Sequence, residues 1–184
     1  MKSEKNLIWL DCEMTGLDFE RDVILEVACI ITDAQLQVVA EGPTLVIHQP
    51  ENVLAAMGDW CQKQHKKSGL IQDVQNSTTT FQQAEDTLLE FLNRYCFPNS
   101  SPLCGSSVWV DRIFLMKDLP KVSSFMHYRN VDVATIKELA ARWYDFDIKK
   151  ELPKKDTHRA LADIYDSIGE LQFYRERFFV EPEE

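Results

Sequence analysis

The sequence predicts an α/β fold, a mixed five-stranded sheet flanked by helices. Three observations lead there. The N-terminal quarter carries three apolar, β-branched runs joined by short links, and the remainder alternates helical and strand-like segments. The length of 184 residues suffices for one domain with a sizeable core.

The chain opens on Leu7-Ile8-Trp9-Leu10, which makes residues 7–13 a buried strand, apolar on both faces. Thr15-Gly16-Leu17-Asp18 reads as a turn. Val23 to Thr32 is a second strand, and Thr44 to His48 a third after a break at Glu41-Gly42-Pro43. Their short connections imply an antiparallel meander. From Asn52 to Lys67 the pattern turns helical and ends near Ser68-Gly69. A clearer helix covers 80–95, with Phe81, Ala84, Leu88, Leu89, Phe91 and Leu92 on one stripe. Residues 102–106 read as a buried strand and 111–118 as a helix that stops before Pro120. A strand over 128–133 leads into a helix through Trp143. The last helix, 157–179, places Leu161, Ile164, Ile168, Leu171 and Phe178 close to helical spacing. A single domain over 1–184 is expected, with its core over 7–178 and an acidic tail at 181–184.

Composition narrows the function. An apolar fraction of 45% fits a globular protein. No apolar run approaches the roughly 18 residues that span a bilayer, so no membrane partner is expected. Met1-Lys2-Ser3-Glu4-Lys5-Asn6 is too short and polar for a secretory signal. The five cysteines are odd in number and lack a C-x-x-C pair, so they read as reduced thiols. The expected location is intracellular: cytoplasmic, or mitochondrial if a cleaved targeting segment precedes this sequence. The net charge of −10 bears on substrate. No basic block exceeds Lys149-Lys150 or Lys154-Lys155, and long nucleic acid normally needs a basic track. A nucleic-acid substrate should therefore be short.

The acids carry the chemistry. Asp11 and Glu13 continue the first strand and, two residues apart, share one of its faces. Paired carboxylates on a buried strand repel unless a cation or proton lies between them. Mg²⁺ or Mn²⁺, hard ions with oxygen ligands, answer that need; an exposed strand edge is the alternative reading. Asp111 follows a second apolar stretch, and Asp163 stands five residues after His158. Five helical residues turn through about 500°. His158 and Asp163 thus converge only if His158 lies in the loop or first turn and Asp163 one to two turns inside. His158 otherwise starts a helix capped by Asp156 or Thr157, or is a core histidine. Asp18, Asp22, Asp33 and Asp132 read first as turn formers or caps. The ensemble points to a metal-dependent phosphodiesterase.

Taken in order, the motifs resemble the DEDDh family of 3′→5′ exonucleases, and within it the oligoribonucleases, over nearly the full length. The match is carried by Leu7 to Asp18, reading LIWLDCEMTGLD, and by Asp59-Trp60, Ser68-Gly69-Leu70 and His127-Tyr128-Arg129. His158-Arg159-Ala160-Leu161-Ala162-Asp163-Ile164 and Glu170 to Arg175 extend it. The resemblance implies an RNase H-like fold, usually homodimeric, that degrades very short single-stranded RNA to mononucleotides. It implies two divalent ions, Mg²⁺ or Mn²⁺, per active site. Asp11, Glu13, Asp111 and Asp163 fall on the four acidic positions and His158 on the general base. One ion is then expected at Asp11, Glu13 and Asp163, and the other shares Asp11, with Asp111 acting through water. Leu17 matches an apolar wedge against the bases, Trp60 an aromatic stacking residue and His65 a phosphate-neighbouring position. Ser107 and Arg129 match a cap around the 5′ phosphate of a dinucleotide, with Tyr128 reaching in from the partner subunit. Taken alone, Leu17 and Trp60 would be core residues and Arg129 a surface charge. The chain departs from the pattern twice: Ser106 replaces a usual asparagine before Ser107, and Ala134 a frequent serine. Two rival readings remain, a DEDDh enzyme that trims longer RNA or DNA and a non-catalytic nucleic-acid-binding module.

Overall fold

The fold comes from a computed structural model and is described for residues 1–144, 147–151 and 158–180. The acidic tail and the cap candidates Asp156 and Thr157 lie outside the described residues. The strands are β1 (Leu7–Met14), β2 (Ile24–Thr32), β3 (Val38–Val46), β4 (Pro102–Gly105) and β5 (His127–Asp132). They form one sheet in the order β3-β2-β1-β4-β5. β1 pairs with β2, and β2 with β3, in antiparallel fashion, the expected meander. β1–β4 and β4–β5 are parallel. The sheet is therefore mixed and five-stranded, as the sequence predicts.

The helices are α1 (Glu51–Ala55), α2 (Asp59–Lys67), α3 (Leu70–Asn76), α4 (Phe81–Tyr95), α5 (Trp109–Asp118), α6 (Pro120–Phe125), α7 (Val133–Tyr144), α8 (Ile148–Glu151) and α9 (Ala160–Phe178). β1 lies at the centre of the sheet, which is why its residues are apolar on both sides. Its even-numbered residues, Ile8, Leu10 and Cys12, pack with Leu88 and Leu92 of α4, Phe114 of α5 and Val122 of α6. The odd-numbered Trp9 packs on the opposite face with Ile164, Ile168 and Tyr174 of α9. Leu54, Met57, Leu70 and Val74 close a smaller cluster over Leu25. The start of α4 is set by a capping box between Thr80 and Gln83.

Several boundaries differ from expectation for physical reasons. β3 runs straight through Glu41-Gly42-Pro43, the expected break. The strand is at the sheet edge, and its register with β2 slips between Ala28 and Ile30. Gly and Pro thus mark an irregularity in an edge strand, where proline is tolerated. A Cβ at Gly42 would stand 2.7 Å from the Cys29 carbonyl oxygen, so the close approach itself selects glycine. The helix expected over 52–67 is split into α1 and α2 at Met57-Gly58, and α3 follows where no helix was expected. Pro120 ends α5 yet opens α6, because a missing N–H costs nothing in a first turn. α9 begins at Ala160, not 157, and leaves His158 outside it. Among the described residues, no helix is long and apolar enough to cross a membrane. All five cysteines are free thiols.

Candidate active site

Because Asp11 and Glu13 share the parity of Trp9, they extend the face of β1 that α9 covers. The first turn of α9 brings Asp163 to the same place. Glu13, His158 and Asp163 offer ligand atoms that all lie within 4.8 Å of one another. The convergence condition set by the spacing is met: His158 sits ahead of the helix, in a left-handed conformation with φ 44°. Asp163 stands in the first turn of α9, shallower than the one to two turns expected. Asp111 arrives from the first turn of α5, buried, and its Oδ1 accepts the Cys12 backbone N–H at 3.0 Å. The sheet and two helix starts thus gather four acids and one histidine from across the chain.

The acids perturb one another. Burial pushes Asp11 well above the usual carboxylate range, and the charges of Asp111, Asp163 and Glu13 push it further. Glu13 is pushed up to about 8 by burial, then by Asp163 and Glu26, with Arg159 opposing. Asp111 is pushed up to about 7, chiefly by burial, against the hydrogen bond from Cys12. Carboxyls that retain protons near neutrality call for added positive charge to ionise together. The carboxylate oxygens suit hard divalent ions, so these residues fit the metal site implied by their pattern.

Two residues bearing on the site escaped the sequence reading. Glu26, 0% exposed in β2, stands opposite Glu13 in the strand register. It receives Arg159, whose Nη2 lies 2.6 Å from its Oε1. A lone glutamate inside an otherwise apolar strand was the available signal, since such a charge must be paired. His65, expected near a phosphate, is only 2% exposed on α2. Its Nε2 lies 2.8 Å from the Met14 carbonyl, which can only accept, so Nε2 carries the proton. Its Nδ1 lies 3.8 Å from Glu13 Oε2, and burial pushes the imidazole pKa down.

The other candidate residues are exposed. Leu17 is 73% and Trp60 62% exposed, which removes core packing as their role. Both line a cavity of about 520 Å³ together with Thr15, Gly16, Ala56 and Cys61. The Trp60 ring meets the His158 ring edge-on, with centroids 5.6 Å apart. The Leu17 turn is tied down by Asp22, which accepts the Thr15 hydroxyl and the Asp18 N–H, both at 2.8 Å. A side chain at Gly16 would collide with that carboxylate. Asp18, Asp33 and Asp132 likewise serve turns, as read: Asp33 accepts the N–H groups of Gln35 and Gln37. Asp132 accepts those of Ser107 at 2.8 Å and Ala134 at 2.9 Å. Ser107 borders a separate cavity of about 390 Å³ with Ala134, Thr135 and Arg142. Tyr128, 76% exposed on β5, carries the Arg129 guanidinium 5.5 Å over its ring.

The profile of the RNase T exonuclease family matches residues 8–171. An oligoribonuclease of Marinobacter nauticus is 51% identical over 179 residues, which is 97% of this chain and 99% of that one. The chain belongs to the oligoribonuclease family of exonucleases. A mitochondrial oligoribonuclease of Mus musculus is 49% identical over 175 residues, covering 95% of this chain and 74% of its relative. Family membership makes the chain a 3′→5′ exoribonuclease of short RNA, as the resemblance implied. Among solved structures, Pop2p of S. pombe in its Mg²⁺- and Mn²⁺-bound form superposes with a TM-score of 0.72 at 12% identity, over 94% of this chain and 84% of that one. E. coli Exonuclease I in complex with a dT13 oligonucleotide gives 0.72 at 14% identity over 94% of this chain. The present chain spans only 41% of that longer enzyme. Such identities establish the shared RNase H-like fold alone.

Proposed function

We propose that the chain, one exonuclease domain over 1–184, removes mononucleotides from the 3′ ends of single-stranded RNAs of two to five residues. Two divalent ions, Mg²⁺ or Mn²⁺, would be held by Asp11, Glu13, Asp111 and Asp163. The observation that supports this reading is the meeting of Glu13, His158 and Asp163 within 4.8 Å, beside Asp11 and Asp111. When bound, such ions offset the charge of carboxylates and phosphodiester and ease deprotonation of water.

His158 acts as general base and takes the proton of the attacking water. Trp60 stacks the nucleobase, without regard to its identity, and its edge contact restrains the His158 ring. Leu17, which lines the same cavity, wedges against the bases. His65, anchored on Met14, backs Glu13 and lies near the phosphate. Ser107 and Arg129 cap the 5′ phosphate of a dinucleotide. A second copy of the chain completes that end with its exposed Tyr128, so the working unit is a homodimer. The free thiols agree with an intracellular site of action, cytoplasmic or, as the name of the mouse relative suggests, mitochondrial.

The test is a product time course on 5′-labelled RNAs from two to twenty residues, with and without Mg²⁺. Dinucleotides should disappear fastest and only with metal. Equal kcat/KM on two- and twenty-residue RNA would transfer the function to an exonuclease of longer chains.

A further inference from the structure

We infer that Arg159 is a positioning residue that couples the nucleobase-binding arm, α2–α3, to the general base. The inference rests on the reading of His158 as that base. His158 has φ 44°, in the sparsely populated left-handed region, so its turn gains from being held by its surroundings. The two residues that follow supply the restraint. Arg159 directs Nε to Glu26 Oε1 at 3.0 Å and Nη2 to the same oxygen at 2.6 Å. Glu26 Oε2 accepts the Ala160 N–H at 3.1 Å. A carboxylate from β2 thus caps the start of α9, where no side chain of the preceding residue does so. Since Glu26 is paired with Glu13 in the strand register, the turn is pinned beside the metal-binding acids.

The other branch of the same guanidinium points away from the sheet. Arg159 Nη1 lies 2.9 Å from Asp73 Oδ2 on α3, and 3.5 Å from the Ser68 carbonyl at the end of α2. α2 also carries Trp60, whose ring touches that of His158. The contacts close a circuit: Trp60, α2, Ser68 and Asp73, Arg159, His158, and Trp60 again. A nucleobase that settles on Trp60 loads an arm whose far end is tied to the turn that aims the base. A planar fork with donors in two directions matches both acids at once; a lysine, a single point charge, cannot reproduce that geometry.

A double-mutant cycle decides it. His158→Ala, Arg159→Ala and the double variant are compared on a dinucleotide with Mn²⁺ for kcat, KM, calorimetric Mn²⁺ affinity and Tm. Arg159→Ala should lower kcat by roughly tenfold to a hundredfold, a part of the 10²–10⁴ that a general base supplies. KM should hold, and kcat is read at saturating Mn²⁺, because Arg159 also bears on the charge of Glu13. In the His158→Ala background the same change should cost nothing further, because no ring remains to be misplaced. Asp73→Asn should give a smaller kcat loss on the dinucleotide and none on its abasic analogue, which has no base to load the arm. If Arg159→Ala does not fold, Arg159→Lys carries the cycle, with an intermediate loss that also vanishes beside His158→Ala. A slow His158→Ala protein in which the Arg159 loss persists overturns the coupling alone. A His158→Ala protein at full rate with metal bound overturns the base assignment, and the coupling with it.

Discussion

The two flanks of the acid cluster are built differently. The proposed nucleobase flank brings Leu17, in the turn after β1, to the same cavity as Trp60 of α2, and its turn is braced by the Asp22 hydrogen bonds. The proposed phosphate flank draws on Ser107, beside Asp132 at the end of β5, and on Tyr128 and Arg129 at the start of that strand. Asp132 holds the Ser107 amide, and Arg112 grips the His127 carbonyl at 3.0 Å and Asn130 at 2.8 Å. The first flank offers exposed apolar surface, to which a base of any identity would bind with little dependence on salt. The second must attract a phosphate against the field of a chain with net charge −10. On the proposed reading, affinity in general belongs to the first flank and selection for a short, 5′-phosphorylated end to the second.

The largest effect comes from removing the centre that both flanks serve. Asp11→Ala or Asp163→Ala should abolish hydrolysis while the dinucleotide still binds, because base stacking and phosphate capping persist. Near wild-type turnover of either variant in Mg²⁺ would refute the metal-site assignment. Next, Trp60→Ala should remove about 1–3 kcal/mol of stacking, or roughly 5- to 150-fold in kcat/KM. That loss should be similar for every base composition and length. A loss confined to one base would mean that Trp60 reads sequence, and the contrast between the flanks would weaken.

What the sequence made legible follows the same division. The acids announce themselves because a carboxylate pair at the end of a doubly apolar strand has few explanations other than a cation. The buried strands 7–13 and 102–106 were legible for a related reason, as apolar runs bounded by turns. Leu17 and Trp60 were legible only through resemblance: no periodicity says that an isolated apolar residue will face solvent. The Glu26–Arg159 pair spans 133 residues, a separation at which no local pattern operates. β3 was shortened because Gly42-Pro43 mimics a break, whereas an edge strand accommodates it.

Two substitutions sharpen the phosphate flank. Tyr128→Ala should cost roughly tenfold to a hundredfold on a dinucleotide, the worth of a hydrogen bond to a charged group. Mixing it with excess Asp11→Ala protein should restore turnover, since a mixed dimer joins one intact acid cluster to one intact Tyr128. No rescue in verified mixed dimers would place Tyr128 in its own subunit's site or in none. Arg129→Ala should cost about tenfold on a 5′-phosphorylated dinucleotide and much less on a twenty-residue RNA, whose 5′ end lies beyond the cap. Equal losses at both lengths would make Arg129 a general phosphate contact and erase the division of labour.

The smallest effect separates the acid centre from both flanks and is read in stability. In the metal-free protein Glu13 is pushed up to about 8 and Asp111 up to about 7, mainly by burial, from ordinary values of 4.5 and 3.8. Between those limits the folded chain holds protons that the unfolded chain has released. Stability therefore falls as pH rises from about 5 to about 8, because the folded state binds the more protons. Mg²⁺ should take the place of those protons and flatten the slope, with proton release on binding visible as a buffer-dependent heat. Asp111→Asn should also flatten it, for it removes one of the titrating groups. Trp60→Ala and Arg129→Ala should leave the slope as it is, whatever they do to the Tm at any one pH. A rising Tm over the same range without metal would mean that the acids are already ionised in the folded chain, and the need for a cation at this site would lose its electrostatic basis.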